Sequence, residues 1–151
     1  MNSLKEILDF NQKFVEDSLK KREEIVPQIV VNHNGEITIF VLVGLERDDI
    51  RNILKMLEKT KPKWLVFITE GYMRIAEKDE DLGEYKHGEL EKRFKEGDKN
   101  IKEIVSIQAY NRREKLMRII DKKTLKPITR DISNFDGFLT VSDVERIFWS
   151  D

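Results

Sequence analysis

Two hydrophobic rhythms alternate along the chain, one at helical spacing and one in short apolar runs, and together they divide it into elements. Leu4, Ile7, Leu8, Phe14, Val15 and Leu19 recur every three or four residues with Lys and Glu between them, which predicts an amphipathic helix over residues 3–24. Ser3 with Glu6 three residues on forms a capping-box signature at its start, and Pro27 marks its end. The stretch QIVVNHNGEITIFVLVG then reads as a hairpin, because Asn34-Gly35 supplies the two positive-φ positions of a tight turn. Ile37 to Val43 is apolar on both faces. That predicts either a central strand covered on both sides, or a strand covered once and paired with another chain.

Gly44 breaks this strand, and ERDDIRNILKMLEKTK follows as a second helix with Ile50, Ile53, Leu54 and Leu57 in one stripe. Its acidic first turn suits the positive end of the helix dipole, and Pro62 stops it. WLVFIT is the next strand. A strand, a helix and a strand in that order predict a right-handed crossover between parallel neighbours. Residues 75–102 are highly charged, hold three of the seven glycines and read as a mobile surface excursion with one helical turn near Leu90 to Phe94. The chain resumes with IVSIQAY, the turn NRRE, the strand KLMRIID, the turn KKT and a short strand near Pro127 to Arg130, an antiparallel meander. Val105, Ile107 and Ala109 alternate with Ser106, Gln108 and Tyr110, so one face of this part is expected to be wet. Ser142 with Glu145 predicts the cap of a last helix carrying Val144, Ile147 and Phe148. The sum is a single α+β domain over residues 1–151. Its expected sheet is mixed but mostly antiparallel, with about six strands, one β-α-β crossover, and helices mainly on one face.

Composition narrows the setting. A chain of 151 residues with 39% hydrophobic content and eight Phe can bury a substantial core. No stretch approaches the roughly 18 consecutive apolar residues of a membrane span, and the first residues carry no basic segment followed by an apolar one. Cys is absent, which excludes disulfides, thiolate metal sites and a cysteine nucleophile. A cytoplasmic protein is the expectation. Net charge is −1 although 38% of residues are charged, against about 25% in an average domain. Dense Lys and Glu with few Gln fits a thermophile, where ion pairs gain relative worth. The near-zero balance argues against a protein that coats nucleic acid globally, and leaves room for a local basic patch.

Few chemistries fit the remaining residues. The two histidines, His33 and His87, form no metal-binding spacing, so no metal site is expected. Asp79-Glu80-Asp81 invites a calcium loop, but Gly83 then falls one position early and Leu90 sits where a bidentate Glu belongs. No phosphate-cradling glycine loop occurs, and VGLERDD places acids where a phosphate would sit, so no nucleotide or other cofactor is expected. Neither His lies in a nucleophile-elbow context. Glu84-Tyr85-Lys86 has the tripeptide of a magnesium nuclease but lies in the charged excursion instead of on a strand. Glu70, at the end of an apolar run, is open to two readings: an acid–base group in a closed pocket, or a strand end paired with a nearby cation.

The segment NRREKLMRIIDKKTLKPITR, residues 111–130, is the most basic stretch. It holds Arg112, Arg113, Lys115, Arg118, Lys122, Lys123, Lys126 and Arg130 against Glu114 and Asp121. On a ribbon, Arg112, Arg113, Lys115, Arg118, Lys122 and Lys123 are the candidate phosphate contacts. The alternative is that edge strands carry Lys and Arg to discourage pairing with other chains. Tyr110 is the only flanking ring, so a base-stacking platform is not indicated.

WLVFITEGYM and AYNRREKLMRII together resemble a loose group of small prokaryotic proteins of unknown function. In that group a strand ends in Glu-small-aromatic, and a later hairpin turn carries Arg-Glu ahead of an apolar strand. The matching positions are Glu70, Gly71, Tyr72, Arg113, Glu114 and Leu116, short motifs spread over about half the chain. The resemblance implies a shared architecture and no known activity. It raises the hypothesis that Glu70 meets Arg112 or Arg113 across adjacent strands, beside Tyr72, as a ligand site or a structural staple.

The reading is therefore a small binding or interaction protein without recognisable catalytic machinery, its partners including a homo-oligomer. Nucleic-acid binding or processing through residues 111–130 is the alternative, and a small enzyme using Glu70 is the third.

Overall fold

The computed structural model describes residues 3–75, 86 and 88–149. The order is α1 (Leu4–Lys20), β1 (Gln28–His33), β2 (Glu36–Val41), α2 (Arg47–Thr60), β3 (Trp64–Arg74), α3 (Glu89–Lys95), β4 (Ile101–Asn111), β5 (Lys115–Asp121), β6 (Pro127–Ile132) and α4 (Val141–Val144). After α4 the chain continues as a π-helical turn over Glu145–Trp149. The six strands form one sheet in the order β2-β1-β3-β4-β5-β6, antiparallel at every junction. The class is α+β.

Local chemistry explains most of the boundaries. Ser3 caps α1, its hydroxyl accepting from the Glu6 N–H at 3.2 Å. Asn34 and Gly35 take φ values of 52° and 94°, and Asn32 Oδ1 accepts from the Gly35 N–H, so the β1–β2 turn is the two-residue hairpin expected. Glu46 and Asp49 cap α2 reciprocally, and Lys61 closes it in the left-handed region at φ 50°. The last helix starts two residues earlier than its Ser142 signature predicts. The cap is Thr140, whose hydroxyl accepts from the Asp143 N–H while Asp143 Oδ2 accepts from the Thr140 N–H. Both spacings satisfy the capping rule, and the one preceding Val141 closes the pair.

Two expectations about the sheet change. α2 does join two strands of the same direction, β2 and β3, but they are not neighbours, because β1 lies between them and pairs with both. The tight hairpin uses one edge of β1 for β2, and β3 takes the other. Helices also cover both faces instead of one. On the first face α1 buries Leu4, Ile7, Leu8 and Val15 against Val30, Val66, Ile68, Val105, Ile107 and Ile120. On the second, α2 and the last helix bury Leu54, Leu57, Ile147 and Phe148 against Ile29, Val31, Leu65 and Tyr110. β1 and β3 are apolar at consecutive positions, so each of their faces needs a cover.

The wet face expected of β4 is not wet at Tyr110, which is fully buried, and is half-covered at Gln108. The segment 135–139 folds back onto it. Gln108 Oε1 accepts from the Tyr110 hydroxyl at 2.7 Å and from the Phe138 N–H at 2.8 Å, and the Tyr110 hydroxyl accepts from the Leu139 N–H. Phe138 stacks on Phe67 at 4.1 Å. Burial, partly offset by the donating Leu139 and Phe138 N–H groups, pushes Tyr110 up to about 12. Gly137 is required here: a Cβ would run into the Tyr110 hydroxyl, the Phe135 ring and Gln108 Oε1.

β3 and β4 pair over eleven positions, from Trp64↔Asn111 to Arg74↔Ile101. The helical turn expected near Leu90 to Phe94 is α3, which packs on this long ribbon with Phe94 against Tyr72 at 5.4 Å. Asp79 to Asp81, Glu84, Tyr85 and His87, named above for calcium, nuclease and hydrolytic chemistry, lie outside the described residues. No helix among the described residues is long and apolar enough to cross a membrane.

Candidate functional site

Glu70 sits mid-ribbon on the first face of β3, paired with Val105 of β4. Its Oε1 accepts from the Ile25 N–H at 3.2 Å and lies 3.2 Å from Lys122 Nζ. Lys122 also approaches Glu103 Oε1 at 3.8 Å, and Glu103 accepts weakly from the Tyr72 hydroxyl at 3.4 Å. Desolvation, then the charges of Glu103 and Glu91, raise the Tyr72 pKa above its ordinary value. Asp121 is buried at the end of β5 and holds the next turn, accepting from the N–H groups of Lys123 and Thr124 at 2.7 and 3.2 Å and from Lys102 Nζ at 3.2 Å. Burial opposes its ionisation, yet these donors hold its carboxyl below the ordinary value. Around these groups runs an open cleft of about 930 Å³ between the end of α1, the α3–β4 turn and the β5–β6 turn. On its wall Glu70 pairs with Lys122 and Asp121 with Lys102, so the cleft is stitched by internal ion pairs.

The structure brings Glu70 and Tyr72 together on one strand face but does not bring Arg112 and Arg113 to them. Asn111, just before these arginines, pairs with Trp64, six residues along β3 from Glu70, a separation of roughly 20 Å. Arginine in the turn was the nearest cation by sequence pattern, whereas Lys122 is the nearest by register, because Val105 pairs with both Glu70 and Ile120. Arg112 instead covers the Trp149 ring at 4.8 Å, beside a cavity of about 300 Å³ that Arg113, Val141 and Val144 also line.

The other basic candidates are similarly dispersed. Lys115 Nζ donates to the Phe135 carbonyl at 2.7 Å. Arg118 is buried beneath α1, with Nη1 2.6 Å from Asp9 Oδ1 and 2.9 Å from Gln12 Oε1, and Nη2 2.6 Å from Asp131 Oδ1. Desolvation works against its charge, but Asp9 and Asp131 raise its pKa further above the ordinary guanidinium value. Lys122 is engaged by Glu70, and Lys123 is exposed at the opposite end of β5 from Arg112 and Arg113. The six residues do not make one continuous phosphate-facing surface. His33 shares a 2.8 Å hydrogen bond with the Thr60 hydroxyl on the surface, and among the described residues no group of three or more His, Asp or Glu is placed to hold a metal.

A different surface stands out, and sequence patterning had assigned part of it to the core. β2 is an edge strand, and Ile37, Ile39 and Val41 project on the first face, register partners of Asn32, Val30 and Gln28. They are 46%, 53% and 54% exposed, and Val43 beyond them 58%. Phe10 and Phe14 of α1 are 53% and 43% exposed, although Phe14 falls within the apolar period of the helix. Asp9 and Gln12 reach toward β5, and at 100° per residue Phe10 and Phe14 lie on the opposite flank of α1, toward β1 and β2. No residue from Ile37 to Leu45 is charged, in a chain where 38% of residues are. The other edge, β6, carries Pro127, Arg130 and Asp131, the usual protections of an open edge. Phe10 off the helical stripe, and this uncharged run beside a hairpin turn, were the available signals.

The fold and surface define a six-stranded antiparallel α+β domain with helices on both faces and, among the described residues, one unprotected apolar edge. Compared with protein-family models, with curated proteins and with solved structures, the chain finds no match.

Proposed function

We propose that this protein is an interaction module that associates with another polypeptide through the open edge and first face of β2. One observation carries the reading: an edge strand whose free side is uncharged over residues 37–45 and lined by half-exposed Ile37, Ile39, Val41 and Val43. Such an edge offers unpaired N–H and C=O groups together with a row of apolar side chains, the two ingredients of recognition by strand addition. The cleft around Glu70 supports a catalytic role less well, because Glu70 is already held by Lys122 and the Ile25 N–H. The cytoplasmic and thermophilic setting belongs to the same reading, supported by the absence of Cys and the density of charge.

The test is photo-crosslinking inside the producing cell. A photoreactive residue in place of Ile39 should give a discrete adduct that Val41→Lys on the same chain removes. The same residue in place of Lys59, exposed on α2, should give none. Absence of adducts from positions 37, 39 and 41 alike would sink the proposal.

A further inference from the structure

We infer that the occupant of this edge is a second copy of the chain, with β2 paired antiparallel to its counterpart about a two-fold axis through Ile39. This inference rests on the interaction reading above and specifies its partner. The hydrogen-bond pattern supplies the register. The Leu42 N–H donates to the Pro27 carbonyl at 2.9 Å, so even-numbered positions of β2 point their backbone groups at β1. The Asn32 carbonyl, opposite Ile37, accepts from the Lys63 N–H on its other side, consistent with the same alternation. In an antiparallel ladder these positions alternate, which leaves the N–H and C=O of Ile37, Ile39 and Val41 directed outward.

Pairing about Ile39 sets Ile39 against Ile39, Ile37 against Val41, and Thr38 against Phe40 of the second copy. All three outward residues then find outward partners within the span Glu36–Val41. A centre at Thr38 leaves Val41 opposite Gly35, which sits in the hairpin turn. A centre at Phe40 leaves Ile37 opposite Val43, beyond the strand. The six apolar side chains of the Ile39-centred pair fall on one face, the face that Phe10 and Phe14 flank.

Charge and area both favour a second copy. At a two-fold axis a residue meets itself, so any charge near the centre would face its own like, and residues 37–45 contain none. A different partner imposes no such requirement. The exposed surface of Phe10, Phe14, Ile37, Ile39, Val41 and Val43 sums to roughly 600 Å², approaching the about 800 Å² per partner of a stable dimer before the strand backbone is counted.

The chain has no Cys, so each introduced Cys reports on itself alone. Sedimentation of the purified protein should give twice 17.9 kDa. Ile39→Lys should weaken the association at least about tenfold while leaving the circular dichroism spectrum unchanged, since the side chain is half-exposed in one copy. Ile39→Cys should form a disulfide on mild oxidation, because a hydrogen-bonded pair holds its Cα atoms about 5.5 Å apart. Ile37→Cys and Val41→Cys should cross-link when mixed. Neither should cross-link alone, because like positions are then about 14 Å apart. A monomer, or a dimer that fails this pattern, overturns the inference. A monomer that still gives an Ile39 photo-adduct to a different protein overturns the second copy and keeps the interaction reading. A monomer without adducts removes both.

Discussion

Lys122 Nζ lies 3.2 Å from Glu70 Oε1, and the same oxygen accepts from the Ile25 N–H, so one carboxylate ties β3 to the start of the β5–β6 turn and to the loop leaving α1. The carboxylate that ends an apolar run in the sequence is thus a cross-link between three segments. Replacing it with Gln keeps an acceptor for Ile25 and removes the ion pair. With both partners partly solvated, Glu70→Gln should cost about 1 kcal/mol and lower Tm by roughly 2–4 °C. A calorimetric scan that returns the parent Tm would move Glu70 from staple to site.

Arg118 should matter more. It is buried and connects α1, β5 and β6 through Asp9, Gln12 and Asp131. Arg118→Met keeps the length of the side chain but leaves the partly buried Asp131 without its cation. We expect a loss of about 2–3 kcal/mol in urea unfolding, below the figure for a fully buried pair because Asp9 is largely exposed. The double variant Arg118→Met with Asp131→Leu should recover part of it, and failure to do so would deny the coupling.

The Tyr110–Gly137 contact has a steric test. Gly137→Ala forces a methyl into the Tyr110 hydroxyl, the Phe135 ring and Gln108, and should cost about 2–3 kcal/mol. In a Tyr110→Phe background the added cost should fall by about 1 kcal/mol, because one of the three obstacles is gone. Equal costs in both backgrounds would mean that the backbone relieves the clash elsewhere.

Alkali reads the same hydroxyl. Folding raises Tyr110 from 10.0 to about 12, so its neutral form is favoured in the native state. That stability is fully present below pH 10 and is lost as pH rises toward 12. Tyrosinate absorbance should show Tyr110 titrating late and together with unfolding. Tyr110→Phe should lose this part of the alkaline transition.

Acid acts through Asp121, whose folded pKa is lowered from 3.8. Its contribution is present above that value and disappears as pH falls through the lower folded one. Asp121→Asn should therefore destabilise the protein at neutral pH, by about 2 kcal/mol, and have a smaller effect in strong acid. A pH-independent difference would mean that the loss is in packing.

Much of the architecture is legible along the chain because its causes are local. Ser3, Asn34-Gly35 and the acidic turn before Ile50 act within four residues, and each element they mark is present. The helix cap near Thr140 was ambiguous for the same local reason, since two overlapping spacings satisfied one rule. Glu70 and Tyr72 were visible as candidates, but their partner was not. Glu70 and Lys122 are 52 residues apart, and they meet only because β4 pairs with β3 on one edge and β5 on the other in this register.

The sequence by itself determined the class of fold, the positions of helices and turns, and an uncharged strand that wanted either two covers or a neighbouring chain. Tertiary structure ruled out the central position, because β1 was taken on one edge by the tight hairpin and on the other by β3, leaving β2 outermost with a cover on one face only. It also decided that two cations of the basic stretch would meet internal acids, since Arg118 and Lys122 lie on the face α1 covers and pair with Asp9, Asp131 and Glu70. Pattern along a chain specifies which surfaces are apolar. Only the order of strands specifies which of them meet water.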